Sequence, residues 1–161
     1  NTNAAAAGGA IAALILTQIV YKKVDLTMVL NGALAGLVSI TAEPLTPGLG
    51  TATLIGGVGG VIVVFAVPLL DKFNIDDVVG AIPVHLIAGI WGTLAVPLTN
   101  PDTTFGAQFL GVLSINIFVF LVALVVWGIM KSTIGIRLSK EAELKGTDVV
   151  ETGVIGYAIR D

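Results

Sequence analysis

From Val78 to Leu98 the chain carries one ionisable side chain, His85. As a helix, a run of that length rises about 30 Å, the thickness of a bilayer's hydrocarbon core. His85, the only histidine of the chain, then falls near mid-depth, where a titratable group is costly and usually functional. Composition agrees with lipid as the solvent. Of 161 residues, 55% are hydrophobic and 12% charged, against about 25% charged in a soluble domain. The sequence therefore predicts an all-α integral membrane protein of one domain. A net charge of -3 with no basic cluster gives no footprint for nucleic acid. The lack of cysteine excludes disulfides and thiolate metal sites. A single histidine, far in sequence from most carboxylates, offers no metal-ligand set. No nucleophile, base and orienting group stand together, so no enzyme and no cofactor is expected.

Five membrane spans are predicted, at 3–20, 26–42, 51–70, 78–98 and 107–130. They form a transmembrane domain over 1–130, followed by a polar tail over 131–161. Proline, glycine, asparagine and aspartate mark the turns between spans. The second span is the weakest, being short and carrying Asn31 and Ser39. The chain opens on Asn1-Thr2-Asn3 with no initiator methionine or signal-peptide pattern and is apolar from Ala4. It is expected to begin at or inside a membrane helix, as a piece of something longer. With five spans, the 21–25 loop, the 71–77 loop and the tail share one side. They hold Lys22, Lys23, Lys72, Lys131, Arg137, Lys140, Lys145 and Arg160, every lysine and arginine present. The opposite loops hold Glu43 and Asp102. The positive-inside rule makes the basic side cytoplasmic, with the C-terminus there.

Small residues recur at four-residue spacing, at Gly32 and Gly36 and again at Gly56 and Gly60. Such stripes let helix backbones pack closely in lipid. A dinucleotide site at the glycine run lacks its strand–turn–helix setting. On the fourth span, Asp76 and Asp77 stand where carboxylates cap free amides and oppose the helix dipole. Pro83 removes a helical hydrogen bond and is expected to kink the helix just before His85. Gly80 and Gly89 leave room near the ring, and Trp91 and Gly92 continue the span. Each feature has a plainer role beside a functional one. His85 can simply hydrogen-bond a neighbouring helix, the aspartates can be caps only, and the glycines and Trp91 can serve packing.

The order Asp76-Asp77-x-x-Gly80-x-x-x-Val84-His85-x-x-x-Gly89-x-Trp91-Gly92 resembles the tenth membrane helix of the ammonium transporter (Amt/Mep/Rh) family. Asn3 and the alanines after it resemble the family's seventh helix. The stretch from Leu30 through Asn31, Gly32 and Gly36 to Ala42 resembles the eighth. Lys131-Ser132-Thr133-Ile134-Gly135-Ile136-Arg137 resembles the exit of the eleventh. Gly146-Thr147-Asp148, with Glu151, Gly153 and Tyr157, resembles the tail motif, although Glu151-Thr152-Gly153-Val154 departs from the family's usual Glu-His-Gly-Glu.

That resemblance implies the second of two inverted five-helix repeats plus the last helix of an eleven-helix fold. It implies a homotrimer in the cytoplasmic (inner) membrane, with one path for ammonium, ammonia or methylammonium per subunit. His85 matches the second of two pore histidines, whose partner lies in the other repeat. Asp77 matches a carboxylate that caps the helix or attracts cations, with Asp76 beside it. Gly80, Gly89, Trp91 and Gly92 match pore-helix packing positions. Gly146, Asp148, Glu151 and Gly153 match tail positions tied to subunit coupling and, in many bacteria, to a P-II signalling protein. A sensor of the same fold, or a structural membrane subunit with a packing histidine, are the alternative functions.

Overall fold

A computed structural model describes residues 1–156; Tyr157 and Arg160 lie outside the described residues. It is helical throughout, with no strand among the described residues. Helix α1 spans Thr2–Tyr21, α2 Leu26–Ile40 and α3 Leu49–Lys72. A π-helical stretch, Ile82–Ile87, leads directly into α4, Ala88–Ala95, and a 3₁₀ turn, Val96–Leu98. Helix α5 runs Phe105–Thr133 and the short α6 Lys140–Lys145, before a π turn at Asp148–Thr152. By length and composition α1, α3 and α5 can each cross a membrane, while Leu26–Ile40 and Ile82–Leu98 are shorter apolar helices.

The fourth span differs from its expected form. Val78 and Val79 lie in an exposed turn, not in a helix, and the helical course starts only at Ala81. Pro83 consequently occupies the first turn, where a missing N–H is tolerated, and does not kink a helix interior.

The chain divides into two compact units, residues 1–115 and Asn116 onward. In the first, α1, α2 and α3 pack across glycine and alanine. A Cβ on Gly9 would strike the Gly32 carbonyl, one on Gly56 the Ala5 backbone, and one on Gly60 the Gly9 backbone. Gly92 of α4 is held as tightly against the Ser39 backbone. Lipid tails are as apolar as leucine, so helices in a bilayer gain little from hiding leucine from lipid. Close backbone approach, with its dispersion and weak Cα–H···O contacts, is what remains. Large apolar side chains accordingly point outward: Ile11, Ile15, Leu54 and Phe65 are all exposed.

Two small apolar clusters complete this packing. Ala5, Ile40, Ala52, Ile55 and Ala95 form one, with Trp91 against it. Ala35, Val63, Val84 and Ala88 form the other, flanked by Met28, Val38 and Val67. Polar ties close both ends. The Asn1 side chain donates to the carbonyls of Pro44 (2.9 Å) and Pro47 (2.6 Å). At the other end the Tyr21 hydroxyl donates to the Val64 carbonyl (3.1 Å). Asp25 caps α2 by accepting from the Met28 amide at 3.0 Å. Buried Thr17 donates to Ala13 O at 2.8 Å.

In the second unit, Ser139 caps α6 by accepting from the Ala142 amide (3.2 Å). Arg137 meets Glu143 through Nε–Oε1 (2.7 Å) and Nη2–Oε2 (3.2 Å). That pair is largely exposed, a setting in which ion pairs contribute little. Helix α5 begins in the first unit at Phe105; none of its residues is buried, and Phe109, Leu110, Phe118 and Phe120 stand out from it. A helix apolar all round belongs in lipid or within other protein.

Adjacent glycines of α3 test the packing argument. Gly56→Ala must force α3 away from α1, whereas a Cβ at Gly57 meets only the Gly8 carbonyl at 3.8 Å. Gly56→Ala is expected to lower stability in bilayers by about 1–3 kcal/mol, the usual range for overpacking, and Gly57→Ala to leave it within experimental error. Unfolding midpoints of the two variants check this.

Candidate functional site

The site is built at the turn where the chain enters the His85 helix. Asp77, half-buried, accepts from two successive amides: Ala81 N–H to Oδ1 at 2.8 Å and Ile82 N–H to Oδ2 at 2.7 Å. Both amides lie at the helix entrance and have no partner within the helix itself. Asp76 is exposed and takes no part in this cap. Gly80 adopts φ 75, a left-handed conformation that side chains rarely accept. Its Val84 neighbour donates back to the Gly80 carbonyl at 3.1 Å, and the Ala88 amide reaches the Pro83 carbonyl five residues back, which makes the turn π-helical.

One residue of α2 reaches this turn. Asn31, 8% exposed, donates from Nδ2 to the Val79 carbonyl at 3.1 Å. A Cβ on Gly80 would sit 2.8 Å from that same nitrogen. The left-handed φ and the neighbouring amide thus both demand glycine. Val84, 2% exposed, plugs into the cluster with Val63, and Val63 lies near the middle of α3. His85 therefore comes one turn after the start of its own helix, yet at the level of the middle of α3. Its side chain is exposed and makes no hydrogen bond among the described residues.

Trp91, Gly92 and Gly89 lie against α3 and α2. Trp91 Nε1 donates to the Ile55 carbonyl of α3 at 3.0 Å. Gly92 is pressed against Ser39, and a Cβ on Gly89 would meet only Val38 at 3.6 Å. Neither Gly80 nor Gly89 makes its closest approach to the imidazole. No group of metal-ligating side chains occurs among the described residues.

At the far end of the first unit, Glu43 gathers a second polar cluster. Its Oε1 accepts from the Leu45 and Thr46 amides (3.2 and 3.4 Å) and its Oε2 from the Asn100 side chain at 3.0 Å. The Asn100 bond, then the Leu45 amide, hold the Glu43 carboxyl below its ordinary range. In the tail, Asp148 accepts from the Gly156 amide at 2.6 Å, and this bond leads in holding its carboxyl below the usual range. Gly146, which ends α6, and Gly153, which ends the π-helical stretch Asp148–Thr152, both take positive φ. Glu151 is exposed.

Sequence reasoning passed over Asn31 as a site residue and passed over the Glu43–Asn100 clamp. Asn31 left a signal: Gly80 and Pro83 mark a turn before the helix, whose carbonyls need a donor from elsewhere. The Glu43–Asn100 clamp left none, because the two residues are far apart in sequence.

Comparison with known proteins bears on these residues together. The model of the Ammonium Transporter Family matches residues 1–157. The chain is 36% identical to "Ammonium transporter Amt2" of Archaeoglobus fulgidus, over 98% of its own length and 38% of that protein's. It is 36% identical to "Ammonium transporter Amt1" of Haloferax mediterranei, over 92% of its own length and 30% of that protein's. A solved structure, "Sensor Amt Protein", superposes with a TM-score of 0.88 at 30% identity, covering 94% of this chain and 40% of that one. The chain thus spans well under half the length of these relatives.

Two outcomes follow from the geometry. Asp77→Ala strips the acceptor from two amides at once and is expected to destabilise the protein by about 1–2 kcal/mol, as the loss of a cap does; unfolding midpoints check it. The Glu43 clamp needs an ionised carboxylate, and its folded pKa is lowered. Its contribution is therefore fully present above the ordinary glutamate pKa and is lost as pH falls through the lowered one. The Asn100 side-chain amide resonance is expected to shift only in that acid window, and Glu43→Gln to abolish the shift.

Proposed function

Because the chain belongs to the ammonium transporter family, a family of multi-pass membrane proteins, we propose that it serves the passage of ammonium or ammonia, and of methylammonium, across the cytoplasmic membrane. The family match over residues 1–157 carries this reading. In it, His85 lines an apolar path whose other wall comes from sequence matching the remainder of the relatives. The full arrangement would be an inverted repeat within an eleven-helix subunit, assembled as a homotrimer.

The chemistry of such a path is set by desolvation. A bare cation in a low-dielectric channel bears a penalty of several kcal/mol even after relaxation. Two routes reduce it: the ion gives up its proton and crosses as ammonia, or it stays coordinated by polar groups. A neutral imidazole has one donor and one acceptor and serves either route. The helix entrance beside His85 supports a basic cargo. A helix N-terminus favours anions, and here the Asp77 carboxylate already takes the Ala81 and Ile82 amides.

The one-sided distribution of lysine and arginine supports a cytoplasmic tail. Gly146, Asp148, Glu151 and Gly153 are proposed to act there in subunit coupling and in contact with a P-II signalling protein. A second reading has a specific observation behind it. The solved structure that superposes on this chain is named as a sensor, so ammonium sensing by the same fold is the alternative.

Uptake of labelled methylammonium by membranes containing the complete protein separates the two, since a sensor does not accumulate it. For a transporter, His85→Ala is expected to reduce uptake or admit other cations by on the order of tenfold, the effect of losing one hydrogen-bonding group. Uptake and ion discrimination both unaltered by His85→Ala would reject the pore role.

A further inference from the structure

Resting on the transport reading, we propose that Asn31 is a positioning residue for His85, holding the helix entrance so that the imidazole keeps one setting. The inference starts from backbone accounting. Val79 precedes the helix and Pro83 occupies its first turn, so no helical N–H serves the Val79 carbonyl. The site is part-buried, and a carbonyl shielded from water is costly to leave unserved. Asn31 Nδ2 serves it at 3.1 Å.

The same side chain fixes the next residue. Asn31 lies against Gly80, whose left-handed φ of 75 turns the chain into the helix. The Gly80 carbonyl then receives the Val84 amide at 3.1 Å, and His85 follows. One turn along α2, Ala35 packs with Val84 in a shared cluster. Helix α2 thus grips the π-helical stretch at two points four residues apart, one polar and one apolar. His85 makes no hydrogen bond of its own among the described residues. Its setting is inherited from the backbone that Asn31 and Ala35 hold.

The test uses the complete protein in phospholipid bilayers with ¹⁵N-labelled histidine, read by solid-state NMR, with the His85 ring signals identified by their loss in His85→Ala. Asn31→Leu keeps the volume and removes the donor. It is expected to move or split the His85 ring resonances, with roughly a tenfold larger share of molecules in a second setting, the worth of one hydrogen bond. Ser39→Ala is the control. Ser39 is a buried polar residue of the same helix that donates only to Ala35 O (2.7 Å), and its loss is expected to leave the His85 resonances in place.

An unmoved His85 signal in Asn31→Leu overturns the proposal, as does an equal displacement in Ser39→Ala. If Asn31→Leu does not assemble, the smaller Asn31→Ser is judged by the same two criteria. Methylammonium uptake is measured in parallel on the complete protein. Displaced resonances together with uptake indifferent to His85→Ala would reject the transport reading and leave the positioning role standing. Uptake that depends on His85, with resonances indifferent to Asn31, would do the reverse.

Discussion

The first unit rests on backbone-to-backbone contact between α1, α2 and α3. Ala5 and Gly9 of α1 present carbonyls to glycines of both partners, Gly36 and Gly56 for the one, Gly32 and Gly60 for the other. In water a bundle of this size would be driven together by hiding leucine and phenylalanine. Here most of those residues face outward, and the interior is chiefly alanine, glycine and valine, with Ile40, Ile55 and a few small polar residues. The inversion is what a hydrocarbon solvent requires. Only contacts that lipid cannot make, close backbone approach and interhelical hydrogen bonds, favour one arrangement over another. Trp91 on Ile55 O and Tyr21 on Val64 O are bonds of the second kind.

Tight packing of three helices makes the fourth possible in its unusual form. An irregular turn at the level of a membrane helix survives only if every polar group in it is served. Residues 77–84 hold several such bonds. Asp77 takes the Ala81 and Ile82 amides, Asn31 serves the Val79 carbonyl, and Val84 serves that of Gly80. Pro83 contributes no amide that would need a partner. The short helix and its entrance are thus one device, and the neighbour that completes it is α2.

Much of this was legible in the sequence. Apolar runs fall on helices, and three of them, α1, α3 and α5, are long and apolar enough to cross a bilayer. The four-residue spacing of glycines foretold the close approaches at Gly32, Gly36, Gly56 and Gly60. The entrance to the His85 helix was misplaced for a physical reason. Val78 and Val79 are as apolar as any membrane helix residue, and hydropathy alone extends the helix through them. Gly80 and Pro83 together were the better guide, one favouring a left-handed turn and the other a helix's first turn. Asn31 was visible only as a weakness in the second span. A polar side chain there lowers the apparent quality of a membrane helix, and its role emerges only when the orphan carbonyl before another helix is counted.

The exposure of His85 and that of α5 look alike as surface and differ as chemistry. Around α5 the exposed groups include Phe109, Leu110, Phe118 and Phe120, and acyl chains can meet them without loss. An imidazole turned to acyl chains would leave both its N–H and its bare nitrogen unserved, which costs several kcal/mol where no water competes. The packing level shared with Val63 keeps the ring away from either end of α3, so reaching an interface is not a remedy. The face that carries His85 must therefore be covered by protein or open onto something able to hydrogen-bond. In the proposed pore, a small amine that donates and accepts in turn would meet that demand.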